Sequence, residues 1–385
     1  MMLSKYILLP LFLYLILACN SENSSHTAQK QTSQATNYTN QVEIKHAKGF
    51  TIEYFKDYKI AGIISSADTL KYILLEKGAT RPQGYPNAQL VEIPVKTAVA
   101  MSSMHIGLFE FLESEQVLTG LVNLQYVYSP SVRSLIKAGK ISEVGRDQGL
   151  NEEKLIEMHP GIVMTVGSPG TKSDHYQILK QAEIPVLANS EWIEKTPLAR
   201  AEWVKLVAAF LNKEKLVNEK FGKLEAEYNR LTALAEGSKT KPTVLSGLNT
   251  KDAWFMPSGD GYMSKFFQDA GSDYHWKDKK AEGSLPLNFE AVYPFALEAD
   301  YWVNVGFSNS DTKKDILSQD SRYSDFKAFK SGKMYSYNAK VNELGANDFF
   351  ESGTVNPHIV LADLIKIFHP EILPDHQFVY YKQLQ

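Results

Sequence analysis

Two distant stretches of the chain repeat one order of polar and apolar positions. Asn151-Glu152-Glu153-Lys154-Leu155 leads through an apolar helical segment to Ile162-Val163-Met164-Thr165-Val166 and then Gly167. Asn288-Phe289-Glu290-Ala291-Val292 leads through another to Tyr301-Trp302-Val303-Asn304-Val305 and then Gly306. In each, an Asn suited to capping stands two positions before a Glu in the first helical turn, and a β-rich run follows. The chain therefore reads as two related αβ halves, each with one acidic residue at a helix start.

Between 42 and 99, period-two alternation punctuated by Gly, Pro and Asn predicts short strands at 49–54, 72–75, 90–93 and 97–100. Helices at 104–112, 131–138, 152–158 and 173–182 then alternate with β-rich runs at 117–122, 162–166 and 184–187. Such alternation argues a lobe built around a mainly parallel sheet. Next, Thr196-Pro197 supplies a cap and a first-turn proline, and Trp203, Val207, Phe210, Val217, Phe221, Leu224, Tyr228 and Leu231 recur at threes and fours. This stripe predicts a helix over 196–236, about ten turns or roughly 55 Å long, interrupted near Asn212-Lys213-Glu214. A second αβ series opens at Thr243-Val244-Leu245, includes Ala253-Trp254-Phe255-Met256 and a helix at 262–270, and ends in a helix at 357–368. The predicted fold class is α/β: two Rossmann-like lobes, 42–195 and 237–385, joined by the single long backbone helix 196–236.

The N-terminus sets the compartment. Lys5 precedes the apolar run 6–18, too short to span a bilayer comfortably, so 1–18 reads as a signal peptide. Ile16-Leu17-Ala18-Cys19 resembles a bacterial lipoprotein cleavage site, with Cys19 as the lipidated first residue. Cys19 is the sole cysteine, so stability must come from the core and not from an internal disulfide. Residues 19–41, rich in Gln, Thr, Ser and Asn, read as a flexible tether. A net charge of −3 without a basic stripe argues against nucleic acid as a partner.

In a two-lobed α/β protein, ligands lie outside the carboxyl ends of the strands. The residues placed there are Ser102, Ser103, Tyr126, Tyr128, Ser168 and Trp192 in the first half, and Trp254, Met256, Asp348 and Phe349 in the second. Aromatic planes with a few polar groups suit a large, flat or catechol-bearing metal complex. The nine histidines are scattered, with no His-x-x-x-His helix pair, so a bare-metal cage has little support. No Gly-x-Ser-x-Gly elbow, phosphate-binding Gly-x-x-x-x-Gly-Lys loop or His-Glu-x-x-His helix occurs, and no enzyme is expected.

Together the segment Gly149-Leu150-Asn151-Glu152-Glu153-Lys154-Leu155-Ile156-Glu157-Met158-His159-Pro160-Gly161-Ile162-Val163 and its counterpart at 287–303 carry a family resemblance. They resemble the substrate-binding proteins of ABC importers for iron–siderophore complexes, haem and cobalamin, the class III periplasmic binding proteins, two α/β lobes joined by one long helix. Gly161 stands where that family usually has Asp, a change in a turn. The resemblance implies that Glu153 and Glu290 dock the lobes onto arginines of a permease dimer served by ATPase subunits. A carboxylate on a lobe surface suits a guanidinium, although a first-turn Glu is also favoured by the helix dipole and Glu152 competes next door. The resemblance further implies a small-molecule metal chelate as cargo, an iron complex with siderophore or haem. Cobalamin is the alternative, then a bare metal ion, and a secreted hydrolase comes last. No resident cofactor is implied, and the protein would sit in the cell envelope, lipid-anchored through Cys19 and facing the periplasm.

Overall fold

The computed structural model describes residues 38–64, 69–146, 149–167, 176–250, 253–306 and 311–385. The signal peptide, Cys19, most of the tether, Ser168 and the segment 307–310 lie outside them. Strand-favouring runs at the start of the body pair first with one another: β1 (Phe50–Tyr54), β2 (Tyr58–Ile64) and β3 (Thr69–Glu76) are antiparallel neighbours, and β4 (Gln89–Ile93) joins β3 in parallel.

The first lobe follows as β5 (Ala98–Ala100), α1 (Ser103–Phe111), β6 (Leu118–Val122), α2 (Pro130–Lys137), β7 (Ser142–Arg146), β8 (Gly149–Leu150), α3 (Glu152–Met158), β9 (Ile162–Val166), α4 (Gln177–Gln181) and β10 (Val186–Asn189). Its sheet order is β10-β9-β5-β6-β7-β8, parallel except for the β7–β8 pair. The chain steps outward from β5 to β6 and β7, then returns to add β9 on the other side. The switch point therefore lies between β5 and β9, the place where open α/β sheets leave a crevice. The small N-terminal sheet closes this lobe's edge through side chains: the Gln89 amide donates to Val186 O at 3.0 Å and accepts from Val186 N at 2.8 Å, while Tyr72 Oη also donates to Val186 O. An edge strand that would expose unpaired backbone is satisfied in this way.

Three helices come next, α5 (Pro197–Glu202), α6 (Val204–Leu211) and α7 (Glu214–Glu236). The continuous 196–236 helix expected from the stripe is thus broken, and the linking helix is the 23-residue α7, about 35 Å long. The break has a physical cause at Asn212, which adopts φ +53° and ends α6. The buried Lys59 ammonium reaches into that corner and binds Ala209 O, Asn212 Oδ1 and the Glu214 carboxylate, so the groups freed by the chain reversal are paired.

The second lobe runs β11 (Thr243–Ser246), β12 (Asn249–Thr250), β13 (Ala253–Pro257), α8 (Tyr262–Asp269), β14 (Asp273–Tyr274), β15 (Ser284–Leu287), α9 (Phe289–Ala296), β16 (Tyr301–Val303), α10 (Lys313–Gln319), α11 (Lys327–Lys330), β17 (Met334–Ser336), α12 (Asp348–Glu351), α13 (Pro357–Phe368) and β18 (Lys382–Gln383). Its main sheet is ordered β14-β11-β16-β17-β18, with a switch point between β11 and β16, and β12, β13 and β15 form a separate antiparallel sheet.

One apolar core runs through both lobes. It includes Phe109 and Leu187 of the first, Phe210 of α6, the α7 stripe Val217, Phe221, Leu224, Tyr228 and Leu231, and Val244, Phe267, Trp302 and Val360 of the second. Each such side chain contributes about 1.5–3 kcal/mol when fully buried. The helices α5, α6, α7 and α13 pack together along this seam, and α1 packs on α12. The lobes are therefore joined by shared core as well as by one covalent helix.

Candidate functional site

The repeated pattern forms matching helix starts. Asn151 Oδ1 accepts from Lys154 N at 2.9 Å at the start of α3, and Asn288 Oδ1 accepts from Ala291 N at 2.8 Å at the start of α9. A side-chain oxygen satisfies an otherwise unpaired helical N–H in each case. Glu153 and Glu290 both stand in these first turns and are exposed, one per lobe. Glu290 lies 3.7 Å from Arg322, an exposed pair of little energetic weight. Glu152 is only half-exposed, which favours Glu153 as the presented acid.

The other expected residues lie in the loops after the strands. Ser102 and Ser103 follow β5 at the switch point of the first lobe, half-buried, and Ser102 stands at the helix start without using its hydroxyl as a cap. Tyr126 lies in a 3-10 turn after β6 and is 49% exposed. Trp192 follows β10, keeps 38% of its surface exposed, and anchors its indole by donating to Gly167 O at 2.6 Å. In the second lobe Phe349 stacks on Tyr337 with ring centres 4.6 Å apart, and Phe350, 50% exposed, meets Phe349 edge-on at 5.4 Å.

Three of the expected lining residues are elsewhere. Trp254 and Met256 are fully buried, and Trp254 donates to Ser246 O at 2.9 Å within an aromatic nest of Phe289, Trp302, Tyr323 and Phe326. They are core residues because β13 belongs to the added antiparallel sheet, whose inner face covers the lobe; the residue between them, Phe255, points out. Asp348 is also buried and pairs with Lys340 at 3.3 Å, so it orders a loop and is not presented to a ligand. Tyr128 is half-buried and contributes its backbone N–H to the lobe contact described next.

The lobes touch through polar groups on either side of the cleft. Glu351 accepts from Tyr128 N at 2.8 Å and Ser129 N at 2.7 Å, Asn342 donates to Val127 O at 3.1 Å, and Arg133 pairs with Glu343 at 2.6 Å. On the other side Lys195 pairs with Asp260, and the Arg200 guanidinium lies 3.9 Å from the centre of the Tyr262 ring. Burial pushes the Glu351 carboxyl up to about 7, against the pull of the two N–H donors, and the nearby Glu110 and Asp348 add to the rise. Burial likewise raises Glu191, just beyond β10, to about 7, and lowers His105, in the first turn of α1, to about 4.

Among the described residues, neither His105 nitrogen, neither Glu191 carboxylate oxygen, nor Asn189 Nδ2 has a side-chain hydrogen-bond partner. No group of three or more His, Cys, Asp and Glu side chains gathers into a metal cage among the described residues. Three described histidines are structural: His46 meets Glu225, His376 meets Asp363, and His369 meets Gly271 O and Ser238. The sequence pattern did not single out Glu351, Arg200 or Tyr262, whose roles arise from contacts between segments far apart in the chain. The run Asn347-Asp348-Phe349-Phe350 did carry a signal for Phe350.

A family model for the periplasmic binding protein matches residues 117–341, more than half of the chain. An uncharacterized lipoprotein of Methanocaldococcus jannaschii is 29% identical over 296 residues, covering 74% of this chain and 68% of the relative. Among solved structures, the triscatecholate siderophore binding protein FeuA of Bacillus subtilis, in complex with ferri-bacillibactin, aligns at TM-score 0.54 and 15% identity over 79% of this chain and 98% of its own. CeuE of Helicobacter pylori, in a nickel–histidine complex, aligns at TM-score 0.56 and 14% identity over 82% of this chain and 90% of its own. These two structures share the fold.

Proposed function

The chain belongs to the periplasmic binding protein family, solute-binding components of ABC importers and not enzymes, and we propose that it captures an iron complex between its lobes and delivers it to a membrane permease. The observation that carries this reading is the pair of Asn-capped helix starts on separate lobes, each presenting one exposed glutamate, together with the exposed rings of Tyr126, Trp192 and Phe350. Aromatic faces bind a large chelate by stacking, and a few fixed polar groups orient it. Glu153 and Glu290 then meet permease arginines, where a carboxylate and a guanidinium form charge-assisted, paired hydrogen bonds. Lipid attachment at Cys19 would hold the protein at the membrane, in keeping with a relative named as a lipoprotein.

Replacing both acids, Glu153→Ala with Glu290→Ala, is expected to abolish uptake while chelate affinity stays within two-fold, roughly the scatter of an exposed substitution. Measuring uptake in cells and binding by calorimetry separates the two effects. If affinity falls with transport, the acids belong to the cleft or the fold. The absorption spectrum and mass of whatever co-purifies identify the cargo, and a corrinoid there would replace the iron complex with cobalamin.

A further inference from the structure

Near the ends of β5 and β10 the first lobe carries buried polar atoms without a hydrogen-bond partner among the described residues. Asn189 is the last residue of β10, Glu191 follows two positions on, and His105 stands just beyond β5, with only β9 between these strands. Five of their side-chain atoms have no hydrogen-bond partner. Such groups are uncommon in folded proteins, because leaving a buried polar group unpaired costs about 1–3 kcal/mol. Their location at the carboxyl edge of the sheet, beside the switch point, is where a ligand would complete them.

Glu191 is the sharpest case. It is 1% exposed and forms no ion pair, while the positive charge of the neighbouring Arg200 acts on it without a hydrogen bond between them. Arg200 donates through Nε to Glu194 O at 3.1 Å and through a terminal nitrogen to Trp192 O at 2.6 Å, and its plane covers Tyr262. The other described basic side chains around the strand ends are also engaged: Arg133 with Glu343, Arg146 with Glu143, Lys195 with Asp260 and Lys340 with Asp348. Glu191 thus lies beside a positive charge that offers it no hydrogen bond.

We infer that Glu191 is the acid through which the first lobe contacts its cargo, accepting hydrogen bonds from a neutral or positively charged, donor-bearing chelate, and that polyanionic chelates are disfavoured. This rests on the iron-complex reading above and adds the charge class of the cargo. Arg200 and Tyr262 of the two sides lie near this acid, and the neighbouring Trp192 keeps 38% of its surface exposed. A donor placed on a carboxylate in this buried setting forms a charge-assisted bond, stronger than a neutral one.

The test uses two probes on the whole chain: a ferric trihydroxamate bearing a free ammonium group, which is positively charged overall, and a ferric tricatecholate, which is triply negative. Binding is followed by quenching of tryptophan fluorescence, and thermal unfolding is measured alongside. The trihydroxamate is expected to bind at least about ten-fold more tightly than the tricatecholate. Glu191→Gln is expected to lose about ten-fold in trihydroxamate affinity, the scale of one hydrogen bond to a charged group, with a melting temperature no lower than wild type. Tighter binding of the tricatecholate, or unchanged trihydroxamate binding by Glu191→Gln, overturns the assignment. A lower melting temperature together with lost binding overturns it too, because it makes Glu191 a structural group. Failure of both chelates to bind the wild-type chain overturns instead the iron-complex reading on which the assignment stands.

Discussion

Buried carboxylates on the two sides of this molecule are treated in opposite ways. Along the helical seam they are saturated. Glu202 accepts from the N–H groups of Lys45, His46 and Ala47 and from Lys205, and Asp363 accepts from Val379, Tyr380 and Tyr381 N–H and from His376. Glu191, just beyond β10, has no side-chain hydrogen-bond partner among the described residues and is supported only by its own and Trp192's N–H groups and by the Arg200 charge. The first arrangement stitches the N-terminal segment and the C-terminal tail onto the helices that hold the lobes. The second leaves bonding capacity where cargo would lie. The difference teaches that burial of an acid says little about its purpose until its donors are counted.

The sharpest way to break this comparison is to remove a saturated acid. Asp363→Ala leaves three backbone N–H groups and His376 without their acceptor, and a loss of about 3 kcal/mol or more is expected. Urea unfolding would measure it, and a loss below 1 kcal/mol would show that the seam does not depend on these bonds. Glu351, which bridges the lobes, should give an intermediate effect. Glu351→Gln keeps one acceptor but sets an amide N–H against a backbone N–H, at an expected cost of roughly 1–2 kcal/mol near pH 5.

The pH dependence of that deficit has a defined sign. The folded carboxyl of Glu351 is raised to about 7 from an ordinary 4.5, so its proton-linked stability is complete below about 4.5 and is lost as pH rises through about 7. The glutamine cannot titrate, so the deficit of the variant should shrink between pH 5 and pH 8. A deficit that grows over this range would mean that the ionised form is the favoured one. The smallest effect is expected in shape. Because a common core and the rigid α7 join the lobes, cargo binding should change the radius of gyration by only about 1 Å or less. Scattering curves showing a larger compaction would overturn the view of the seam as a stiff frame.

Much of the frame was legible before any coordinates. The Asn-capped repeat, the strand at 162–166, and the helices at 152–158 and 357–368 stand where local pattern put them. Caps and periodicity depend on neighbours a few residues away, which are present in the sequence itself. The break at Asn212 was visible only as an interruption, since its cause is the ammonium of Lys59, far earlier in the chain. The cleft was legible as a region and less so as a set of residues. Tyr126 and Trp192 are exposed and Phe349 stacks on Tyr337, whereas Trp254 and Met256 went to the core.

The sequence by itself determined two αβ halves, the helix that links them and one capped glutamate on each, because helix and strand periods and end signals are short-range properties. Only the tertiary structure decided which aromatic faces solvent, which distant backbone donors close on Glu351, and which acid is left without a partner. Those outcomes depend on segments brought together by packing, as the burial of Trp254 beneath an added sheet and the placing of Arg200 beside the buried Glu191 both show.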